Sequence, residues 1–250
     1  MVPGTRPDPP AVRGECRRTP GEATGDCRLG ETFKSEGKKM RKMAILAAGL
    51  AAVAVMAMPA WTPASAASTQ DIINGCESCH GPKGASTHKD IPIIGGVSAF
   101  YIDAQIQAYQ KKLRPCPDVK YPAGPDKGKT TNMCDEVKNL DKKQAQDVTD
   151  YFSKQPFVPA KQSFDAAKAK TGKQIHETYC SRCHSEGGSF AMDDAGILAG
   201  QWTPYLKEQF KDYQAGKRWM PEKMKPKIDQ LDAKQIEDLL NYYASEGASK

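Results

Sequence analysis

The 250-residue chain holds 36 Lys and Arg against 30 Asp and Glu, a formal charge of +6. Residues 1–67 carry ten basic and six acidic groups, so the remainder has 26 against 24. A surplus of two is too weak a field for a nucleic-acid partner. Eight cysteines are out of place in a reduced cytosolic chain and point to an oxidising compartment.

Residues 1–39 are rich in Pro, Gly and Arg and have no apolar periodicity, and they precede a complete export signal. They read as an over-extension from a wrong start codon or as a disordered leader, and Cys16 and Cys27 are assigned no role. Met40-Arg41-Lys42-Met43 is a basic n-region, Ala44 to Met58 an apolar core, and Ala64-Ser65-Ala66 a small-residue cleavage site. The expected signal peptide spans 40–67, and its apolar run is too short for a comfortable membrane span. The mature chain is expected in the periplasm, with no transmembrane span.

From Ser68 a first helix is expected to end near Cys76, leading into Cys76-Glu77-Ser78-Cys79-His80. The same pattern returns 104 residues later as Cys180-Ser181-Arg182-Cys183-His184. Two thiols one helical turn apart can add to the two vinyl groups of a haem, and the adjacent His reaches the iron. A four-thiolate zinc site or a redox dithiol would also use such cysteine pairs, but neither needs the His. Two covalent haem c groups are expected, on Cys76 and Cys79 and on Cys180 and Cys183, with His80 and His184 as iron ligands.

The repeat extends beyond the pentads. At the offset of 104, Ile93, Gly96, Tyr101, Gln105, Tyr109 and Arg114 fall on Ile197, Gly200, Tyr205, Gln209, Tyr213 and Arg218. Thirteen extra residues in the first copy then reduce the offset to 91, placing Met133, Leu140, Asp141, Gln144 and Tyr151 on Met224, Leu231, Asp232, Gln235 and Tyr242. The fold class expected is all-α, a tandem of two homologous haem domains at 68–153 and 167–250 joined by a linker at 154–166. Pro156 and Pro159 make that linker stiff and extended.

Within each domain an amphipathic helix is expected over Phe100 to Leu113 and over Pro204 to Tyr213. Met133 and Met224 coincide in the two copies, each seven residues before a Leu, and are the expected sixth iron ligands. Met220 is a rival in the second domain, and an ordinary core Met is the plainer reading of each. Asp141 and Asp232, each followed three positions later by Gln, read as N-caps of the terminal helices. Cys116 and Cys134 lie in the Gly-, Pro- and Lys-rich insertion and are expected to form a disulfide. Alternatively, Cys134 itself would bind iron as a thiolate, which would lower the potential and suit a catalytic haem. His88 and His176 have no repeat partners and are expected at the surface.

Pro159 to Asp165, Tyr179 to Gly188 and Gly196-Ile197-Leu198-Ala199-Gly200-Gln201-Trp202-Thr203-Pro204-Tyr205-Leu206 together resemble the dihaem cytochrome subunit of flavocytochrome c sulfide dehydrogenase. The resemblance covers about the last hundred residues. The first domain is similar to the wider cytochrome c4 family, and its Cys116 to Cys134 loop departs from the sulfide dehydrogenase subunit. The resemblance implies a tandem of two class I cytochrome c domains, each wrapped around one covalent haem and related by a pseudo-twofold axis. It also implies electron transfer from a flavoprotein subunit that oxidises sulfide to a soluble cytochrome or terminal oxidase. The alternatives are a free-standing c4-type carrier, serving a terminal oxidase or a thiosulfate-oxidising enzyme, and a dihaem enzyme with a Cys-ligated haem. On the first two readings the chain is not an enzyme on its own.

Overall fold

The computed structural model describes residues 67–248. The expected leader and nearly all of the expected signal peptide lie outside them. Helix α1 spans Thr69–His80 and α2 Ala99–Gln110; a two-stranded hairpin follows, β1 Val119–Lys120 with β2 Thr130–Thr131. Then come α3 (Met133–Val137), α4 (Lys142–Ser153), α5 (Ala166–Tyr179), α6 (Thr203–Gln214), α7 (Lys225–Ile228) and α8 (Ala233–Ala248).

The helix starts follow from local chemistry. Ser68 and Asp71 exchange side-chain and backbone bonds in a capping box at α1. Asp141 with Gln144 does the same at α4 and Asp232 with Gln235 at α8, as the Asp-x-x-Gln pattern requires. The 12-residue α1 continues through His80, past the expected end at Cys76, because nothing before Gly81 interrupts it. In the second copy α5 stops at Tyr179, and the pentad turns beyond it with Cys180 as the C-cap. The α2 helix starts on the Ser98 cap and ends at Gln110, short of the expected Leu113. The hairpin is the one departure from all-α, and it lies wholly in the insertion that only the first domain has.

Each domain closes its first helix against its last. In the second, α5 crosses α8 at Gly172, where a Cβ would stand 2.0 Å from the Asp238 carbonyl oxygen. Only a glycine allows that approach. The second core gathers Ile175, Leu206, Phe210, Ile228, Leu231, Leu239 and Tyr243; the first gathers Ile73, Val97, Ile102, Ile106, Val137, Val148 and Phe152. Ile197, from the second half of the sequence, is buried in the first core.

The halves are tied by polar contacts in dry surroundings, where an unpaired group would cost most. The Gln201 amide pairs with both Ile93 backbone groups, each at 2.9 Å, and Trp202 Nε1 donates to the Ser86 carbonyl at 2.9 Å. The Pro-rich connector lies along both halves. The Ala160 N–H reaches Gly200 O at 2.7 Å, and Gln162 holds Thr203 and the Gln201 carbonyl. Among the described residues, no helix is long and apolar enough to cross a membrane.

Candidate haem centres

His80 stands at the end of α1, 7% exposed, with its Nδ1 2.8 Å from the Pro92 carbonyl. His184 has its Nδ1 3.1 Å from the Gly196 carbonyl. The two acceptors are themselves 104 residues apart, so the repeat preserves the hydrogen bond as well as the ring. A carbonyl can only accept, so Nδ1 carries the proton and Nε2 keeps the lone pair a metal needs. Burial lowers the affinity of both rings for a second proton, holding His184 to a pKa of about 4 and lowering His80 as well. Both are neutral imidazoles at physiological pH.

Cys76, Cys79, Cys180 and Cys183 are free of disulfides. Burial, with Glu136 nearby, pushes the Cys76 thiol to about 12, and burial raises Cys79 and Cys180. Among the described residues no three His, Cys, Asp or Glu side chains gather as a metal cage. The two cysteine pairs therefore do not converge as a four-thiolate site.

Met133 opens α3 and packs on the first core, as does Cys76. Met224 caps the equivalent α7, and Met220 and Met224 both pack on the second core with Cys180. Cys116 and Cys134 are joined, with Cα atoms 5.7 Å apart, so Cys134 is not a free thiolate for iron. His88 is exposed as expected. His176 is not a surface residue: it is 2% exposed and its Nδ1 lies 3.1 Å from the Tyr243 hydroxyl. Its place on the α5 stripe after Gly172 and Ile175 was the available signal. The Ile72 that stands in its place in the first copy hides the polar role.

A second set of repeat-matched residues has a role that sequence alone did not disclose. Arg114 donates to Gln105 at 2.6 Å, then across the domain boundary to Gln209 at 2.7 Å and Tyr205 at 3.4 Å. Arg218 mirrors it, donating to Gln209 at 2.5 Å and across to Gln105 at 2.9 Å and Tyr101 at 3.2 Å. Each guanidinium also lies over a tyrosine ring, Arg114 on Tyr109 at 4.3 Å and Arg218 on Tyr213 at 4.5 Å. This is a reciprocal clamp about a pseudo-twofold axis. Its two arginines are 6% and 4% exposed, their partners are neutral, and Arg114 Nε has no acceptor. The buried Asp212 carboxylate lies within electrostatic reach of Arg218, and the positive charge left over from one carboxylate against two permanent cations suits a further anionic group. Haem, with two carboxylates, two thiol-reactive vinyl groups and an iron for the neutral imidazoles, fits this donor set.

A cytochrome c family model matches residues 65–155. The model described as cytochrome C oxidase, cbb3-type, subunit III matches residues 167–242. The chain is a dihaem cytochrome c. Its two class I cytochrome c domains carry two covalent haem c groups, and it is a cytochrome c4-like electron carrier. Among solved structures, cytochrome c4 from Pseudomonas stutzeri matches with a TM-score of 0.56 and 23% identity, over 72% of this chain and 98% of its own. Cytochrome c4 from Acidithiobacillus ferrooxidans matches with a TM-score of 0.56 and 25% identity, over 69% and 99%. Thiosulfate dehydrogenase (TsdBA) from Marichromatium purpuratum matches at 0.55 and 22%, over 68% of this dihaem cytochrome but 36% of that chain. The comparison with curated proteins gives no match.

Proposed function

We propose that this dihaem cytochrome is a periplasmic carrier that takes electrons from a dehydrogenase of reduced sulfur compounds and passes them to a soluble cytochrome or terminal oxidase. Cys76 and Cys79 attach one haem, with His80 and Met133 as its iron ligands. Cys180 and Cys183 attach the other, with His184 and Met224, and Met220 is the competitor for that last place. The bound iron supplies one-electron ferric–ferrous chemistry. The chain's own groups do the rest. The Pro92 and Gly196 carbonyls fix the imidazoles, the apolar cores exclude water, and Arg114 and Arg218 offset the carboxylate charge while locking the two halves together.

The observation that carries this reading is the reciprocal arginine clamp. It joins two equivalent sites into one rigid unit, as a wire requires, whereas an enzyme of this class would need an open or Cys-ligated iron. The disulfide at Cys134 removes the thiolate candidate. A dedicated flavoprotein partner oxidising sulfide is the form suggested by the 159–206 resemblance. A free-standing carrier is the form favoured by the match over 98% and 99% of the two cytochrome c4 chains.

The test is isolation of the mature protein from its native periplasm with whatever accompanies it. A stoichiometric flavoprotein establishes the subunit form. A lone dihaem protein that is reduced by a sulfide- or thiosulfate-oxidising fraction establishes the free carrier. A cytochrome that no sulfur-oxidising fraction reduces overturns the proposal.

A further inference from the structure

The two attachment edges are dressed differently, and the difference comes from the first-domain insertion. Gly124, at the turn of the β1–β2 hairpin, lies against Ser78 in the middle of the first pentad; a Cβ there would stand 2.5 Å from Ser78 Oγ. Tyr121 and Thr131, at the hairpin's base, both donate to the Glu136 carboxylate. Glu136 in turn bears on the Cys76 and Cys79 thiols, and Tyr121 is close enough to Cys79 for their charges to interact. The hairpin lies wholly within the loop closed by Cys116 and Cys134, so it is tethered over the pentad at both ends.

Among the described residues, the second domain has no such cover. Arg182 and Cys183 are exposed where their equivalents Ser78 and Cys79 are half-buried. The charge is inverted as well. Glu136 corresponds to Lys227 at the offset of 91, and Lys227 lies within electrostatic reach of Cys180 as Glu136 does of Cys76. Lys227 also lies over the Tyr179 ring at 5.7 Å. The covered edge is framed by Glu77 and Glu136, the bare one by Arg182 and Lys227.

Resting on haem attachment at both pentads, we propose that the hairpin is a cap that closes the first haem's thioether edge to partners. Exchange with redox proteins then runs through the second haem, at the basic Cys183 edge, to a partner presenting an acidic face. Each encounter passes one electron, the partner's oxidation or reduction balancing the change of the iron between ferrous and ferric, and no bond is made or broken. The first haem exchanges with the second across the arginine clamp.

The test measures edge exposure directly. Haem-peptide mass spectrometry first confirms attachment at both pentads; missing haem there would sink the functional reading itself. On the intact oxidised protein, relaxation of each haem's methyl resonances by a neutral gadolinium chelate is then compared. The proposal expects the second haem's methyls to relax several-fold faster than the first's. Replacing residues 115–132 by five Gly and Ser residues, the number that joins Arg218 to Met224, together with Cys134→Ser, should make the two haems alike. Equal relaxation in the unaltered protein overturns the cap without any variant. A folded shortened variant with an unchanged first haem overturns it as well. For the charge, Arg182→Glu with Lys227→Glu should slow oxidation by ferricyanide at low salt by roughly tenfold. An unchanged rate refutes the basic docking edge.

Discussion

Replacing Cys116 and Cys134 together by Ser removes a single cross-link, and its size can be worked out. The bridge spans 18 positions. In the chain-entropy description, closing a loop of that length costs the unfolded chain about 3 kcal/mol at 25 °C. If the two halves unfold together, the melting temperature should fall by roughly 6 to 12 °C, and by about twice that if the first domain melts alone. The effect should also be local. Cys134 follows Met133 and anchors the start of α3, so the first haem should lose methionine ligation at a lower temperature than the second. Differential scanning calorimetry gives the first quantity. The weak charge-transfer band of Met-ligated ferric haem, followed on heating, gives the second as a two-step loss in the variant. An unchanged melting temperature, or equal weakening at both haems, would refute the reasoning.

Met224→Ala should remove methionine ligation from one haem and leave Met220→Ala with both, as read from the axial methyl resonances of the ferrous protein; the reverse result transfers the ligand to Met220. Gly172→Ala drives a Cβ to 2.0 Å from the Asp238 carbonyl and should cost at least about 1 to 3 kcal/mol by forcing α5 off α8, measured by denaturant melts against Gly75→Ala, whose Cβ meets nothing within 4 Å. Arg218→Met removes the donor to Tyr101 and one of the two donors to Gln105 and Gln209, which keep Arg114, and should destabilise by about 1 to 3 kcal/mol, the scale of a buried polar group left unpaired, while slowing electron exchange between the haems in pulse radiolysis. Glu136→Lys removes a negative charge that favours the ferric state and installs a positive one, so the first haem's midpoint potential should rise by roughly 40 mV, about 1 kcal/mol; spectroelectrochemistry showing a fall would invert the electrostatic argument.

Much of this architecture was legible because a duplicated sequence reports its own domain plan. The Asp-x-x-Gln caps at Asp141 and Asp232 located the terminal helices, since a capping box depends on neighbours three positions apart. The β1–β2 hairpin was not legible: its two-residue strands pair Val119 with Thr131 and Lys120 with Thr130, a run too short for any alternating pattern. The Arg114 and Arg218 clamp was visible only as matched letters, because its meaning depends on a side chain from one copy meeting the other across the axis. His176 was misplaced for a related reason, since its partner Tyr243 lies 67 residues away and the first copy has isoleucine there. Short α3 and α7 were not legible either, although the matched Met133 and Met224 stand at their N-terminal ends.

The central claim is that two equivalent His/Met haems are held in one rigid unit. It is tested most directly by the proton spectrum of the fully reduced mature protein. The account predicts two separate upfield axial-methionine methyl signals, one abolished by Met133→Ala and the other by Met224→Ala. A single such signal, or one that survives both substitutions, would contradict it.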